Sequence, residues 1–337
     1  MPLLRLDRLR RCPVRAGKAL TIGLVNNMPD AALKTTERQF RERLTSAAGG
    51  IPFALRVFSF PEPRRSVEGQ RHVATYHEPI DNLWENDLDG LIVTGAAPAA
   101  AAVEAEPCWP VLKRLVEWAQ RHTSSTIWSC LAAHAAVRHI DGIERRPLGV
   151  KLSGVFDCVR IADHPLLART RARWSSPHSR YNELPEAALR ARGYSILSRS
   201  RVAGADIFAK RCGSLFVFMQ GHPEYDAGAL GREYRRDVVQ FLAGKSESYP
   251  EIPANYFSAD AAAAMQAFRE VALHDRDATL LERFPALEVM NAPWHAAATH
   301  FYSAWFAQLC ARRSPGPGWA RMRLPVAALS GVNPTYA

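Results

Sequence analysis

Cys130 closes the apolar run Thr126-Ile127-Trp128-Ser129 and opens the alanine-rich stretch from Leu131 to Ile140. A strand that runs directly into a helix at a cysteine points the sulfur out of the top of a sheet. It also sets the N–H groups of the helix start beside that sulfur, where they stabilise negative charge. A small cysteine buried in the core is the plainer alternative, and position alone does not separate the two. His222-Pro223-Glu224 ends the run Leu215 to Met219 in a similar way. Residues two apart in an extended segment project to one side, so the imidazole and the carboxylate can act together. A base near neutral pH, oriented by a carboxylate, is what thiol activation requires. Taken alone, His-Pro-Glu reads as an exposed pair on a turn. That Cys130 and His222 both follow strands of one expected sheet changes the balance.

These side chains need a sheet to stand on, and the hydrophobic pattern supplies one. Leu20 to Val25, Phe53 to Phe60, Leu91 to Thr94 and Thr126 to Ser129 read as strands rich in apolar and β-branched residues. Helical stretches separate them, through Thr36, Glu37, Phe40 and Leu44, and through Val111, Leu112, Leu115, Val116 and Ala119. Strands alternating with helices predict an α/β fold, a mostly parallel sheet with helices on both faces and its site at the carboxyl ends of the strands. Further strands are expected at Tyr194 to Ser198, Asp206 to Ala209 and Leu215 to Met219, and further helices along Leu230 to Leu242, Ala259 to Leu273 and His295 to Arg312. The organisation reads as a basic arm over 1–19, an α/β unit over 20–257 and a helical C-terminal extension over 258–337.

Composition excludes several classes. The 337 residues are 47% apolar and 23% charged, which suits a chain with a sizeable core. No apolar stretch reaches the roughly 18 residues of a membrane span, and the start shows no continuous apolar run of a secretory signal. Six cysteines lie far apart with no metal-ligand spacing, so no metal is expected and a reducing cytoplasm suits them. The net charge of +10 is scattered in pairs such as Arg64-Arg65 and Arg235-Arg236, so no nucleic-acid footprint is expected.

Six blocks then occur in order: Asn27-Met28-Pro29, Gly90 to Ala96, Ser125 to Cys130, Lys151 to Val155, Pro177 to Tyr181 and Gly221 to Asp226. With them the sequence resembles the homoserine O-succinyltransferase/O-acetyltransferase family, whose fold is similar to class I glutamine amidotransferases and flavodoxin-like. The resemblance implies a ping-pong transfer of an acyl group from acyl-CoA to the hydroxyl of L-homoserine through a cysteine thioester. It implies no permanent cofactor, with succinyl-CoA or acetyl-CoA as co-substrate. Carried over by position, Cys130 is the nucleophile, His222 the base and Glu224 its orienting carboxylate. Lys151 and Ser179 match substrate-binding positions, and Arg236 matches the arginine that holds the amino acid's carboxylate. The N–H of Leu131 and one from the loop beginning Gly95-Ala96 are expected to form the oxyanion hole. Ala99 falls where glycine marks succinyl users and glutamate marks acetyl users, so succinyl is the expected donor. The sequence departs from the family pattern at Leu131 and His134, where tryptophan and glutamine are usual. L-serine as acceptor, acetyl-CoA as donor and a non-catalytic metabolite-binding protein remain alternatives, and a homodimer stays open.

Overall fold

The computed structural model describes residues 19–61, 64–96, 98–287 and 291–313. The basic arm, up to residue 18, and the stretch 314–337 lie outside them. The first half alternates as expected. Strand β1 (Leu20–Val25) leads to helix α1 (Asp30–Ala48), which stops at Gly49 in the left-handed conformation that glycine adopts without a Cβ penalty. Then follow β2 (Phe53–Ser59), α2 (Val67–Tyr76), the short β3 (Glu78–Pro79), α3 (Asp81–Trp84), β4 (Leu88–Val93), α4 (Trp109–His122), β5 (Thr123–Ser129) and α5 (Leu131–Asp141). The second half adds β6 (Arg146–Arg160), β7 (Arg173–Glu183), α6 (Glu186–Ala191), β8 (Ser195–Ser200), β9 (Gly204–Cys212), β10 (Ser214–Met219), α7 (Ala229–Leu242), α8 (Ala259–His274) and α9 (His295–Arg313).

One sheet holds all the strands in the order β3-β2-β1-β4-β5-β10-β9-β8-β6-β7. The first six run parallel, and the pairings from β10 to β7 are antiparallel. The antiparallel half follows from short connections: β9 turns into β10 at Gly213, too tight for a crossover helix. The pair β6 and β7 escapes the hydrophobic pattern, because much of β6 is exposed or half-buried and its alternation is irregular.

Side-chain alternation divides the core between the two faces. On β10, Phe216 and Phe218 join the cluster under α4 and α5, whereas Leu215, Val217 and Met219 join the cluster under α1 and α9. The last helix is therefore part of the central core, with Phe301, Trp305, Phe306 and Leu309 buried against Phe40 and Leu44 of α1. Helix α8 packs Met265 and Phe268 against Val238 and Phe241 of α7. Four adjacent parallel strands, β1, β4, β5 and β10, deliver Asn27, Gly95, Cys130 and His222 to the same edge of the sheet.

Candidate active site

Cys130 occupies the junction between β5 and α5 with φ 51° and ψ −115°, a conformation that side-chain-bearing residues seldom adopt. Such strain, about 1–3 kcal/mol, persists only where surrounding bonds over-determine it. Here the Cys130 N–H donates to Met219 O at 2.8 Å and its carbonyl accepts from His134 N at 3.1 Å. The thiol is half-buried and lines a cavity shared with His222, Glu224, Lys151, Ser179 and Arg236.

His222 and Glu224 meet, though not along an extended strand as expected. The segment is a turn, closed by Tyr225 N donating to His222 O at 3.1 Å, and it curls the carboxylate back so that Glu224 Oε1 lies 2.8 Å from His222 Nδ1. Tyr225 stacks on the imidazole with centroids 4.4 Å apart, and His222 N donates to Pro177 O of β7. Both side chains are buried. Burial opposes the charged imidazole, but the Glu224 carboxylate, with a further contribution from Cys130, raises the His222 pKa well above its ordinary value. The other ring nitrogen, Nε2, has no well-formed hydrogen bond, so it is the one left to face the thiol and substrate.

The opposite wall carries the expected binding residues and one that sequence reasoning passed over. Glu233 on α7 accepts from the Ser179 hydroxyl, the Tyr225 hydroxyl and, at 3.2 Å, from Lys151 Nζ. Lys151 also reaches Asp237 at 2.7 Å, and Arg236 donates Nε and Nη2 to Asp237 at 3.0 and 2.9 Å. Burial of the Glu233 carboxyl works against its charge. Lys151, the two hydroxyls and Arg236 more than offset this, and its pKa is lowered to about 2. The signal was present in the sequence: Glu233, Arg236 and Asp237 are spaced three and four apart and so share one face of α7, beside the apolar stripe. Arg180 is a second omission. It is buried in the cavity wall and held by the Asn182 and Ala203 carbonyls, and burial lowers its pKa while Cys130 works in the opposite direction.

Leu131, at the first position of α5, and Ala96 both line the cavity. Gly95 packs so closely on the elbow that a Cβ there would lie 3.0 Å from Leu131 N and 3.1 Å from both the Cys130 Cβ and the Ser129 carbonyl oxygen. The loop and the helix start therefore present their backbones side by side, as paired oxyanion donors require. Ala99 is not brought to this cavity. It is exposed, its N–H donates to Glu106 Oε2 at 2.9 Å, and Pro98 lines the cavity instead. Glu106 is fixed in turn by Arg145, a pair in which both side chains are almost fully buried. His134 is also buried, which lowers its pKa to about 3, with Arg180 adding to the effect. It is therefore a neutral neighbour of Gln220, and no second base.

The homoserine O-succinyltransferase family model matches residues 8–315. A homoserine O-succinyltransferase of Bradyrhizobium japonicum is 48% identical over 306 residues, covering 90% of this chain and 93% of that one. Another, of Rhodopseudomonas palustris, is 47% identical over 83% of this chain and 85% of its own. Among solved structures, a glutamine amidotransferase of Thermotoga maritima superposes with a TM-score of 0.46 at 12% identity, covering 87% of this chain and 99% of that one. With a family model spanning all of the described residues and relatives almost half identical along their length, the chain belongs to the homoserine O-succinyltransferase family.

Proposed function

We propose that this chain transfers a succinyl group from succinyl-CoA to the side-chain hydroxyl of L-homoserine through a thioester on Cys130, an early step of methionine biosynthesis in the cytoplasm. The observation that carries the reading is the strained Cys130 elbow opening into one cavity with the His222–Glu224 pair and the Lys151, Ser179, Glu233 and Arg236 wall. His222 Nε2 takes the thiol proton as sulfur attacks the thioester carbonyl. The tetrahedral oxyanion rests on the Leu131 and Ala96 amides, and its collapse expels CoA, whose sulfur receives the proton from His222. Homoserine then enters. Its carboxylate suits the planar guanidinium of Arg236, and its ammonium suits the Glu233 carboxylate. His222 takes the hydroxyl proton, oxygen attacks the acyl-enzyme, and the ester leaves as the proton returns to the Cys130 sulfur.

Succinyl is favoured over acetyl because the described loop residues that line the cavity are Gly95, Ala96 and Pro98. None fills the space or repels a distal carboxylate as a glutamate would. The test supplies succinyl-CoA and acetyl-CoA separately, first without acceptor and then with a panel of hydroxy amino acids. One succinyl group on the intact protein, absent in Cys130→Ala, and succinylhomoserine as the main product are expected. A parent that favours acetyl-CoA overturns the donor assignment, and full turnover by Cys130→Ala overturns the thioester.

A further inference from the structure

A second group of chemically capable side chains converges outside the catalytic cavity. Glu37 on α1, His72 on α2 and His77 at the end of α2 bring one carboxylate and two imidazoles together, each offering a ligand atom within 4.8 Å of the others. His77 Nε2 lies 2.8 Å from Glu37 Oε1, and His72 Nε2 lies 3.0 Å from Oε2. The two rings meet edge to face with centroids 5.5 Å apart. The His77 side chain is fully buried, while His72 and Glu37 keep 11% and 12% of their surface, a narrow approach from solvent.

The charge here is one-sided. Among the described residues the side chains in hydrogen-bond contact with Glu37 are the two imidazoles and the Asn26 amide at 3.2 Å, with no lysine or arginine. Asn26 is itself locked, donating to Leu33 O at 3.0 Å and accepting from Met28 N at 3.2 Å, so its NH2 group is fixed toward the carboxylate. Two imidazole nitrogens and a carboxylate oxygen, the carboxylate oriented by an outer amide, are the ligands that zinc-class ions accept while keeping positions open for water. The carboxylate-to-imidazole separations of 2.8–3.1 Å fall a few tenths short of the about 3.3 Å between tetrahedral ligands bonded at roughly 2.0–2.1 Å, and a ligand nitrogen of each ring lies within 4.8 Å of the other, so side-chain rotations can bring the three donors round one ion.

We propose that Glu37, His72 and His77 bind one divalent transition-metal ion of the zinc class. No cysteine contributes, which is why cysteine spacing gave no sign of it. Each imidazole ligates through Nε2 and carries its proton on Nδ1. Nδ1 of His77 is buried without a partner, so this ring lacks the outer acceptor that usually contributes about 10–100-fold in affinity. The site therefore binds reversibly and yields its ion to a strong chelator. Its walls reach the cavity through the chain itself, since Thr36 and Met28, next to Glu37 and close after Asn26, line that cavity.

The test uses the untagged full chain, stripped with a chelator and titrated with Co2+, followed by visible absorption, and then with Zn2+ in competition. One equivalent of Co2+ with a four- or five-coordinate spectrum and no thiolate charge-transfer band is expected. The missing band separates this site from Cys130 and from the buried Cys158, His178 and Asp206 group. Binding should weaken at least 100-fold in both His72→Gln and His77→Gln, which keep a donor toward Glu37, and Zn2+ should raise the melting temperature of the parent but of neither variant. No uptake by the parent, a thiolate band, or uptake unchanged in folded His72→Gln and His77→Gln would overturn the site and leave a hydrogen-bonded cluster in its place.

Discussion

Cys130 is held at positive φ, and what holds it is also what places its partner. The Met219 carbonyl that receives the Cys130 N–H ends the strand leading to His222, so the proposed nucleophile and the proposed base are fixed by one backbone bond between neighbouring strands. His222→Ala should therefore abolish turnover as completely as Cys130→Ala, a loss of about 10^4-fold or more, while Glu224→Gln, which keeps a shaped partner for Nδ1, should lose less. Initial rates of acyl transfer give the order, and equal activity of Glu224→Gln and the parent would reduce Glu224 to a turn residue. The same variant tests the electrostatics. With burial opposing the charged ring and the Glu224 carboxylate raising its pKa, removing that charge must move the pKa downward. NMR titration of the ring protons in parent and Glu224→Gln reads the shift, and an unchanged value would place its source elsewhere.

Helix α7 is joined to both long strands, β6 and β7, through the Glu233 carboxylate, and to β6 also through Asp237. Glu233 takes Lys151 from β6 and Ser179 from β7, and its charge persists to about pH 2 against 4.5 for an ordinary glutamate. A depressed carboxyl stabilises the folded chain above the unfolded value, and that contribution fades as pH falls from about 4.5 toward about 2. The stability difference between the parent and Glu233→Gln, measured by urea unfolding, should shrink across that window and hold constant above it. A difference independent of pH would show that Glu233 acts by shape alone. The loop after β4 makes a second prediction at this scale. In Gly95→Ala the added methyl meets the backbone at Leu131 and Ser129, atoms that cannot swing aside, so the two amides must separate. A fall in kcat of about 10^2-fold or more with little change in the KM for either substrate is expected, since the loss lies in the transition state. An active Gly95→Ala enzyme would exclude this pair of donors.

Across the whole molecule, the two ends of the described chain meet in one core. Trp305 of α9 is fully buried beneath the sheet, donates Nε1–H to Ser125 Oγ at 3.0 Å, and occupies space that only a glycine at position 90 leaves open. Trp305→Ala should cost about 3–5 kcal/mol of unfolding free energy in a denaturant titration, and a loss under about 1 kcal/mol would mean that α9 is a detachable appendage. How much of this was legible in the residues depended on distance along the chain. Local periodicity was enough for β1, β4, β5 and β10, for the helices α1, α4 and α5, and for Cys130 at a strand end, because alternation and apolar stripes are set by near neighbours. The resemblance of six ordered blocks supplied the proposed roles of His222, Glu224, Lys151, Ser179 and Arg236. Only the tertiary structure decided that β6 and β7 form an antiparallel pair, that Glu233 gathers Lys151, Ser179 and Tyr225, that Pro98 rather than Ala99 faces the cavity, and that α9 belongs to the core. Each of these depends on which distant residue stands opposite, and a one-dimensional pattern of apolar and polar residues carries no record of that pairing.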